Sequence, residues 1–274
     1  MKAGNERVFF YHADGNAIGG VLQRPYPQVI TSPTSISLAS AGGYGSSRTD
    51  GFRIDHVLSV QAAYAHVAGT VDEGTDGSWT SLVTTVVEGV NILEVVTADR
   101  IVAQLSVKHP REGYVPTVSL AGCQLVNLCV NGKSLDPQLN LNVFNVQQPE
   151  NQPRVSFLRH PDVLQTAIAH SQKITGAANA PDWVKFRYGW VASEKGPEER
   201  GYLLCSLVDE VRGAPPNTTY GHVVSIPDFG DLILGELLFD SGSFHLTMLR
   251  AEMGCMAQGT LGMAVAASNG RPMP

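Results

Sequence analysis

Residues 52–66 read Phe52-Arg53-Ile54-Asp55-His56-Val57-Leu58-Ser59-Val60-Gln61-Ala62-Ala63-Tyr64-Ala65-His66. Phe52, Ile54, Leu58, Val60, Ala62 and Tyr64 alternate with Arg53, Asp55, Ser59 and Gln61, which is the period-2 pattern of a strand with one face in a core. Working outward, further strands are predicted at Ser81 to Val87, Asn91 to Val96, Ile101 to Val107, Thr117 to Val130, Leu203 to Val208 and Leu232 to Phe239. Most are short and rich in β-branched residues, which suit a pleated, half-buried surface. Turn pairs such as Asp76-Gly77, Asn131-Gly132, Ser241-Gly242 and Asn269-Gly270 lie between them and favour hairpins.

The composition agrees with that reading. The chain has 274 residues, 43% hydrophobic and 16% charged, with 28 Gly and 16 Pro, a lean charge content that excludes a disordered chain and a turn content that suits many short strands. The net charge of -6 argues against broad binding to nucleic acid or anionic membranes, because both need clustered positive charge. No run of 18 apolar residues offers a membrane span, and Met1 to Arg7 lacks the apolar core of a secretory signal. Cytoplasmic residence is the default expectation.

One segment departs from the strand pattern. Pro161 and Asp162 precede Val163, Leu164, Ala167 and Ile168, with Gly176 beyond, which gives the start, apolar stripe and stop of one short amphipathic helix. The polar stretch Gln147 to Pro153 precedes it as a linker. The chain is therefore expected to form one β-rich domain over residues 1–274, a mainly antiparallel β-sandwich or flattened barrel, with a helical insertion at 154–200. Ile92-Leu93-Glu94-Val95-Val96 and Leu234-Gly235-Glu236-Leu237-Leu238 echo one another and raise the idea of a pseudo-symmetric pair of hairpins.

Three stretches carry a family resemblance: Val87-Glu88-Gly89-Val90-Asn91-Ile92-Leu93, Val96-Thr97-Ala98-Asp99-Arg100-Ile101, and Leu125 to Gly132. With Ile226-Pro227-Asp228-Phe229-Gly230-Asp231-Leu232 and Glu236, they make about a third of the chain similar to bacterial choice-of-anchor P domains. The resemblance implies a secreted, surface-attached β domain and no activity. The chain departs from that pattern in its helical insertion and in showing neither signal nor anchor, so no catalytic residue carries over.

The candidate sites follow from residue chemistry. Glu94 and Glu236 each sit in apolar strand text, where burial raises a carboxyl pKa, and two such groups across one cleft would form a glycosidase-like pair. In a strand, Val184, Phe186, Tyr188 and Trp190 would share one face and Lys185, Arg187 and Trp183 the other. Such a face can stack on a sugar or base, although burial in the core is the favoured reading.

No cofactor and no metal are expected. His56 and His66, ten residues apart on one strand, would lie about 33 Å apart, and no histidine falls in an H-E-x-x-H array. Asp72 to Gly77 offers carboxylates without the EF-hand pattern and reads as a solvated loop. The four cysteines, Cys123, Cys129, Cys205 and Cys255, lack metal-type spacing and read as buried thiols, with Cys123 and Cys129 about 20 Å apart in an extended strand. Gly42 to Ser47 reads as a mobile turn without a G-x-S-x-G or phosphate-loop motif. The function expected is non-catalytic: a structural, self-associating or small-ligand-binding bacterial protein. The alternative is a hydrolase or isomerase acting on a small molecule or glycan, with Glu94 and Glu236 first to test.

Overall fold

The alternation at 52–66 is that of two strands joined by a tight turn. Asp55 has φ 30° and starts a three-residue turn, so the chain reverses at Asp55-His56-Val57 and the apolar face continues on the way back. A computed structural model describes residues 8–72, 77–148, 153–193 and 195–273. Within it, long strands run at Ala13–Arg24 (β1), Gly43–Ile54 (β2), Leu58–Val71 (β3), Trp79–Ile92 (β4), Val96–His109 (β5), Gly230–Phe239 (β6), Phe244–Gly254 (β7) and Gln258–Ser268 (β8). Strand accounts for 54% of the chain and helix for 12%, an all-β fold.

Two antiparallel sheets face each other. The first is the meander β2-β3-β4-β5, extended by short strands at Thr117–Ser119, Gln124–Val126 and Cys129–Val130 on β5. The second runs β6-β7-β8-β1, so the N-terminal strand closes on the C-terminal hairpin through pairs from Ala13↔Ser268 to Arg24↔Gln258. Val8–Phe10 pairs with Arg271–Met273 and holds the two ends together. Alternate residues of both sheets, among them Val67, Val83, Leu105, Leu234, Leu246 and Ala266, point inward and form one hydrophobic cluster. Polar residues cross the interface where the sheets approach closely: Ser81 Oγ lies 2.8 Å from Ser268 Oγ, and Thr85 Oγ1 donates to the Val265 carbonyl at 3.2 Å.

Each sheet is kinked by a glycine in the left-handed region, Gly89 in β4 at φ 61° and Gly235 in β6 at φ 60°. At Gly235 a Cβ would stand 2.8 Å from Leu207 Cγ, so a side chain is excluded by space as well as by φ. The kink frees the Gly235 carbonyl to accept the Leu207 N–H at 2.9 Å, and Leu207 separates the short strands Leu203–Ser206 and Val208–Arg212. The sequence reading ran these two together as one strand.

More of the 154–200 segment is helical than the one short helix expected there. It holds three helices, α1 (Pro161–Thr175), α2 (Asp182–Gly189) and α3 (Gly196–Arg200), and its ends meet where Asp136–Leu139 pairs with Val208–Arg212. Val163, Ala167, His170 and Ile174 of α1 are buried, at the helical spacing that places them on one face against Leu203–Ser206. Phe144 and Phe157, flanking the linker, join Phe239 and Phe244 in a ring cluster with centroids 5.0 to 5.5 Å from Phe144. Linker residues 149–152 and residues 73–76 of the loop Asp72 to Gly77 lie outside the described residues.

Other expectations are corrected. Asn91 to Val96 is the end of one strand, the turn Leu93-Glu94-Val95 and the start of the next, whereas Leu234 to Leu238 is continuous strand, so the sequence echo is not a structural one. Gly42 to Ser47 is no mobile turn, since β2 begins at Gly43. Thr117 to Val130 is broken by turns, so Cys123 and Cys129 are not held apart by one extended strand. Both are nevertheless free thiols, as are Cys205 and Cys255. Burial lifts the thiol of Cys123 to about 11 and that of Cys205 to about 12, while Cys255 is exposed. Thiol titration is expected to label Cys255 in the native protein and Cys123 and Cys205 only after unfolding. A Cys123 to Cys129 bridge in non-reducing mass spectrometry would contradict this.

Candidate functional site

The sequence reading placed its aromatic ligand face on a strand at 184–190, but that segment is α2. Pro181 fixes the residue before the helix and Asp182 supplies an acidic first turn, signals for a helix start that outweigh the period-2 spacing. The ring set is therefore split. Tyr188 is 1% exposed and faces the sheet with Val184, four residues before it. Phe186 points to solvent at 83% exposure, and Trp190 is half-buried against Tyr202 and under Arg200. Lys185 reaches the Ala178 carbonyl at 3.4 Å.

Arg187 and Tyr188 meet Glu236, which lies on the outer face of β6 beneath α2. Arg187 donates to both Glu236 oxygens at 2.9 and 2.7 Å, Tyr188 donates its hydroxyl to Oε2, and Arg250 from β7 lies 3.2 Å from Oε1. Burial alone would raise the carboxyl pKa. The hydrogen bonds from Arg187 and the charges of Arg250 and Arg187 overcome it and hold the group at about 2. Both carboxylate oxygens are thus occupied by the protein itself, an arrangement that pins α2 to the sheet.

The same layer buries two histidines. His170 accepts the Ser206 N–H on Nδ1 at 3.3 Å, so its Nε2 carries the proton and donates to Asp209 at 3.0 Å. His222 stacks edge-on against Tyr188 at 4.8 Å, and neither of its ring nitrogens has a hydrogen-bond partner among the described residues. Burial is the main force pushing its pKa down, to about 3.

Glu94 occupies a different place. Rather than sitting buried in a strand, it is exposed in the β4–β5 turn, and it shares no site with Glu236, which lies on the far side of the second sheet. Glu94 lines a cleft of about 450 Å³ at one end of the sandwich. Three turns build it: Asp55-His56-Val57 between β2 and β3, Leu93-Glu94-Val95 between β4 and β5, and the β7–β8 turn that supplies Met256 and Ala257. The first two are tied together by the Leu93 N–H, which donates to the Val57 carbonyl at 2.9 Å.

Three non-glycine residues around this cleft have left-handed backbones: Asp55 at φ 30°, Leu93 at 55° and Glu94 at 59°. Such conformations cost energy in L-residues and persist where neighbours over-determine them. Here the Asn91 side-chain oxygen accepts the Glu94 N–H at 2.8 Å, and Arg53 Nε donates to the Asp55 carbonyl at 3.0 Å. Val57, Leu58 and Ala257 form a buried apolar floor. Above it stand the Asp55 and Glu94 carboxylates and the His56 ring, which make no hydrogen bond or ion pair with other described residues. Sequence reasoning found Glu94 but assigned it a buried role. It missed Asp55 and His56 as site residues because it read the turn as strand.

No group of three or more His, Cys, Asp or Glu residues suited to a metal ion occurs among the described residues, and no helix is long and apolar enough to cross a membrane. His56 lies in the cleft turn while His66 is on β3, so the pair is not on one continuous strand.

Fold and site together define an antiparallel β-sandwich with a helical layer on one face and a cleft among the turns at one end. The chain belongs to the family described as a domain of unknown function, DUF8256, whose model matches residues 9–240 and so takes in two of the three cleft turns. No curated protein and no solved structure matches the chain.

Proposed function

We propose that this protein is a non-catalytic binding module that holds a small ligand in the end cleft. The observation that carries the reading is the convergence of turns from both sheets over one apolar floor, with Asp55, His56 and Glu94 unpaired above it among the described residues. A volume of about 450 Å³ suits a drug-sized or smaller molecule, and an apolar floor with a few polar groups is the usual chemistry of such sites. The rigid strands below supply the scaffold on which loop residues can be held in place. The commitment of Glu236 to Arg187, Arg250 and Tyr188 removes one half of the carboxylate pair on which the enzyme alternative rested.

A thermal-shift screen with amines, sugars and small organic acids tests this. A cleft ligand is expected to raise the melting temperature in proportion to its binding, to be recovered chemically unchanged, and to lose at least tenfold in affinity in the Asp55→Asn/Glu94→Gln variant. Ligands whose affinity ignores both substitutions, or that are converted to product, would overturn the reading.

A further inference from the structure

On the outer face of the second sheet, α2 is tied to β6 through Trp183, Arg187 and Tyr188. The outer face of the first carries no covering element among the described residues, and it is organised in a way that solvent contact alone does not require. Strand register lays its side chains in rows: Ser46, His66, Thr84 and Gln104, then Arg48, Tyr64, Val86 and Val102, then Asp50, Ala62, Glu88 and Arg100. Val86, in the middle row, is only 1% exposed.

Three rings adjoin on this face. Tyr44, 70% exposed, is joined through its hydroxyl to His66 Nδ1 at 2.9 Å, with the two rings within 20° of parallel. The Tyr64 ring centroid lies 5.8 Å from that of His66. Polar groups continue the surface in fixed positions. The Tyr64 hydroxyl donates to Glu88 at 3.2 Å and accepts from Arg100 at 3.1 Å, and Gln104 Nε2 donates to Thr84 at 3.2 Å.

The charges in these three rows are internally matched: Arg48 bonds Asp50 at 2.8 Å and Arg100 lies 3.6 Å from Glu88. Lys108, further along the same face of β5, is likewise paired, with Asp72 at 3.4 Å. A polyanion finds no field here to displace its counterions. An apolar partner would strip water from both ion pairs without replacing its hydrogen bonds. A neutral molecule with apolar C–H faces and many hydroxyls meets both demands: it stacks on the rings and it both donates to and accepts from the planar polar groups.

We propose that the outer face of β2 to β5 is a binding surface for a neutral, hydroxyl-rich glycan, with Tyr44 and His66 as its stacking platform and the Tyr64, Glu88 and Arg100 network as its polar register. This surface is separate from the end cleft and does not depend on it. The test is retention of the full chain in native gels cast with soluble neutral polysaccharides, a β-glucan, a xylan and a mannan, at low and high salt. Retention by at least one polymer is expected, unchanged by salt because no net charge is involved. Tyr44→Ala, an exposed position where folding is preserved, is expected to weaken retention at least tenfold with an unchanged melting temperature, and His66→Ala is expected to act in the same direction. Asp55→Asn/Glu94→Gln serves as the cleft control: it carries two fewer negative charges, so its mobility in each polymer gel is taken relative to a polymer-free gel, and that ratio is expected to equal the wild type's. The proposal is overturned if no neutral polymer retards the protein, if retention disappears in high salt, or if Tyr44→Ala is retained as strongly as the wild type.

Discussion

Glu236→Gln is expected to lower the unfolding free energy by about 3 to 5 kcal/mol, because it removes the shared anion of a buried ion-pair network, leaving Arg187 without its ion-pair partner and Arg250 with Glu252 alone. Arg250, with 17% of its side chain exposed, and Arg187 would then face a neutral amide, and the Tyr188 hydroxyl would lose its carboxylate acceptor. For a chain of this size each kcal/mol shifts the melting temperature by about 2 to 4 °C, so a drop on the order of 10 °C is expected. Urea denaturation reads the free energy directly. Hydrogen exchange adds where the loss falls: protection in 182–189 should drop before protection in β2 to β5. Wild-type stability in Glu236→Gln would show that α2 is held by apolar packing alone.

Acid is expected to be the other strong perturbation. His222 is held neutral by burial, with its pKa at about 3 against an ordinary 6.5, and burial likewise puts His109 at about 4. In both cases the folded pKa lies below the unfolded one, so the unfolded chain binds more protons as pH falls and the folded state loses stability. That contribution is fully present above about pH 6.5 and declines toward pH 3 to 4. By pH 5 the two histidines together cost about 4 kcal/mol relative to neutral pH. Glu236, at about 2 against 4.5, acts in the same direction at lower pH: its contribution is present above 4.5 and declines toward 2. The expected profile is a plateau near neutrality and a steep fall below pH 6. His222→Phe keeps an aromatic ring against Tyr188 and is expected to flatten the fall between pH 6.5 and 4. An unchanged profile would show that His222 takes up no proton on unfolding over that range.

The β class and the antiparallel hairpins were readable from sequence because alternation, β-branched runs and turn dipeptides act locally. What failed had non-local causes. Apolar alternation runs straight through Asp55 to Val57, since a tight turn conserves the parity of the strands on either side, and only the pairing of β2 with β3, from Ile54↔Leu58 outward, shows where the chain reverses. Leu93-Glu94-Val95 resembles strand because no Gly or Pro marks it, and its left-handed backbone is held by Asn91 and by the neighbouring turn. Residues 184–190 fit period 2 and a helix equally well. Pro181 and Asp182 were the signals that decide between them, and the aromatic spacing outweighed them in the sequence reading. The partnership of Glu236 with Arg187, 49 residues away in sequence, is set by the way the insertion folds back onto β6.

The central claim is that the end cleft is the ligand site, and chemical-shift mapping of backbone amides during titration with small-molecule fragments tests it most directly. Binding fragments are expected to move resonances in three sequence-distant turns together, 53–59, 91–95 and 255–257, with β6 and α2 undisturbed and the fragment spectra unchanged over time. Fragments that map instead to the helical layer around Glu236, or none that bind these turns, would contradict it.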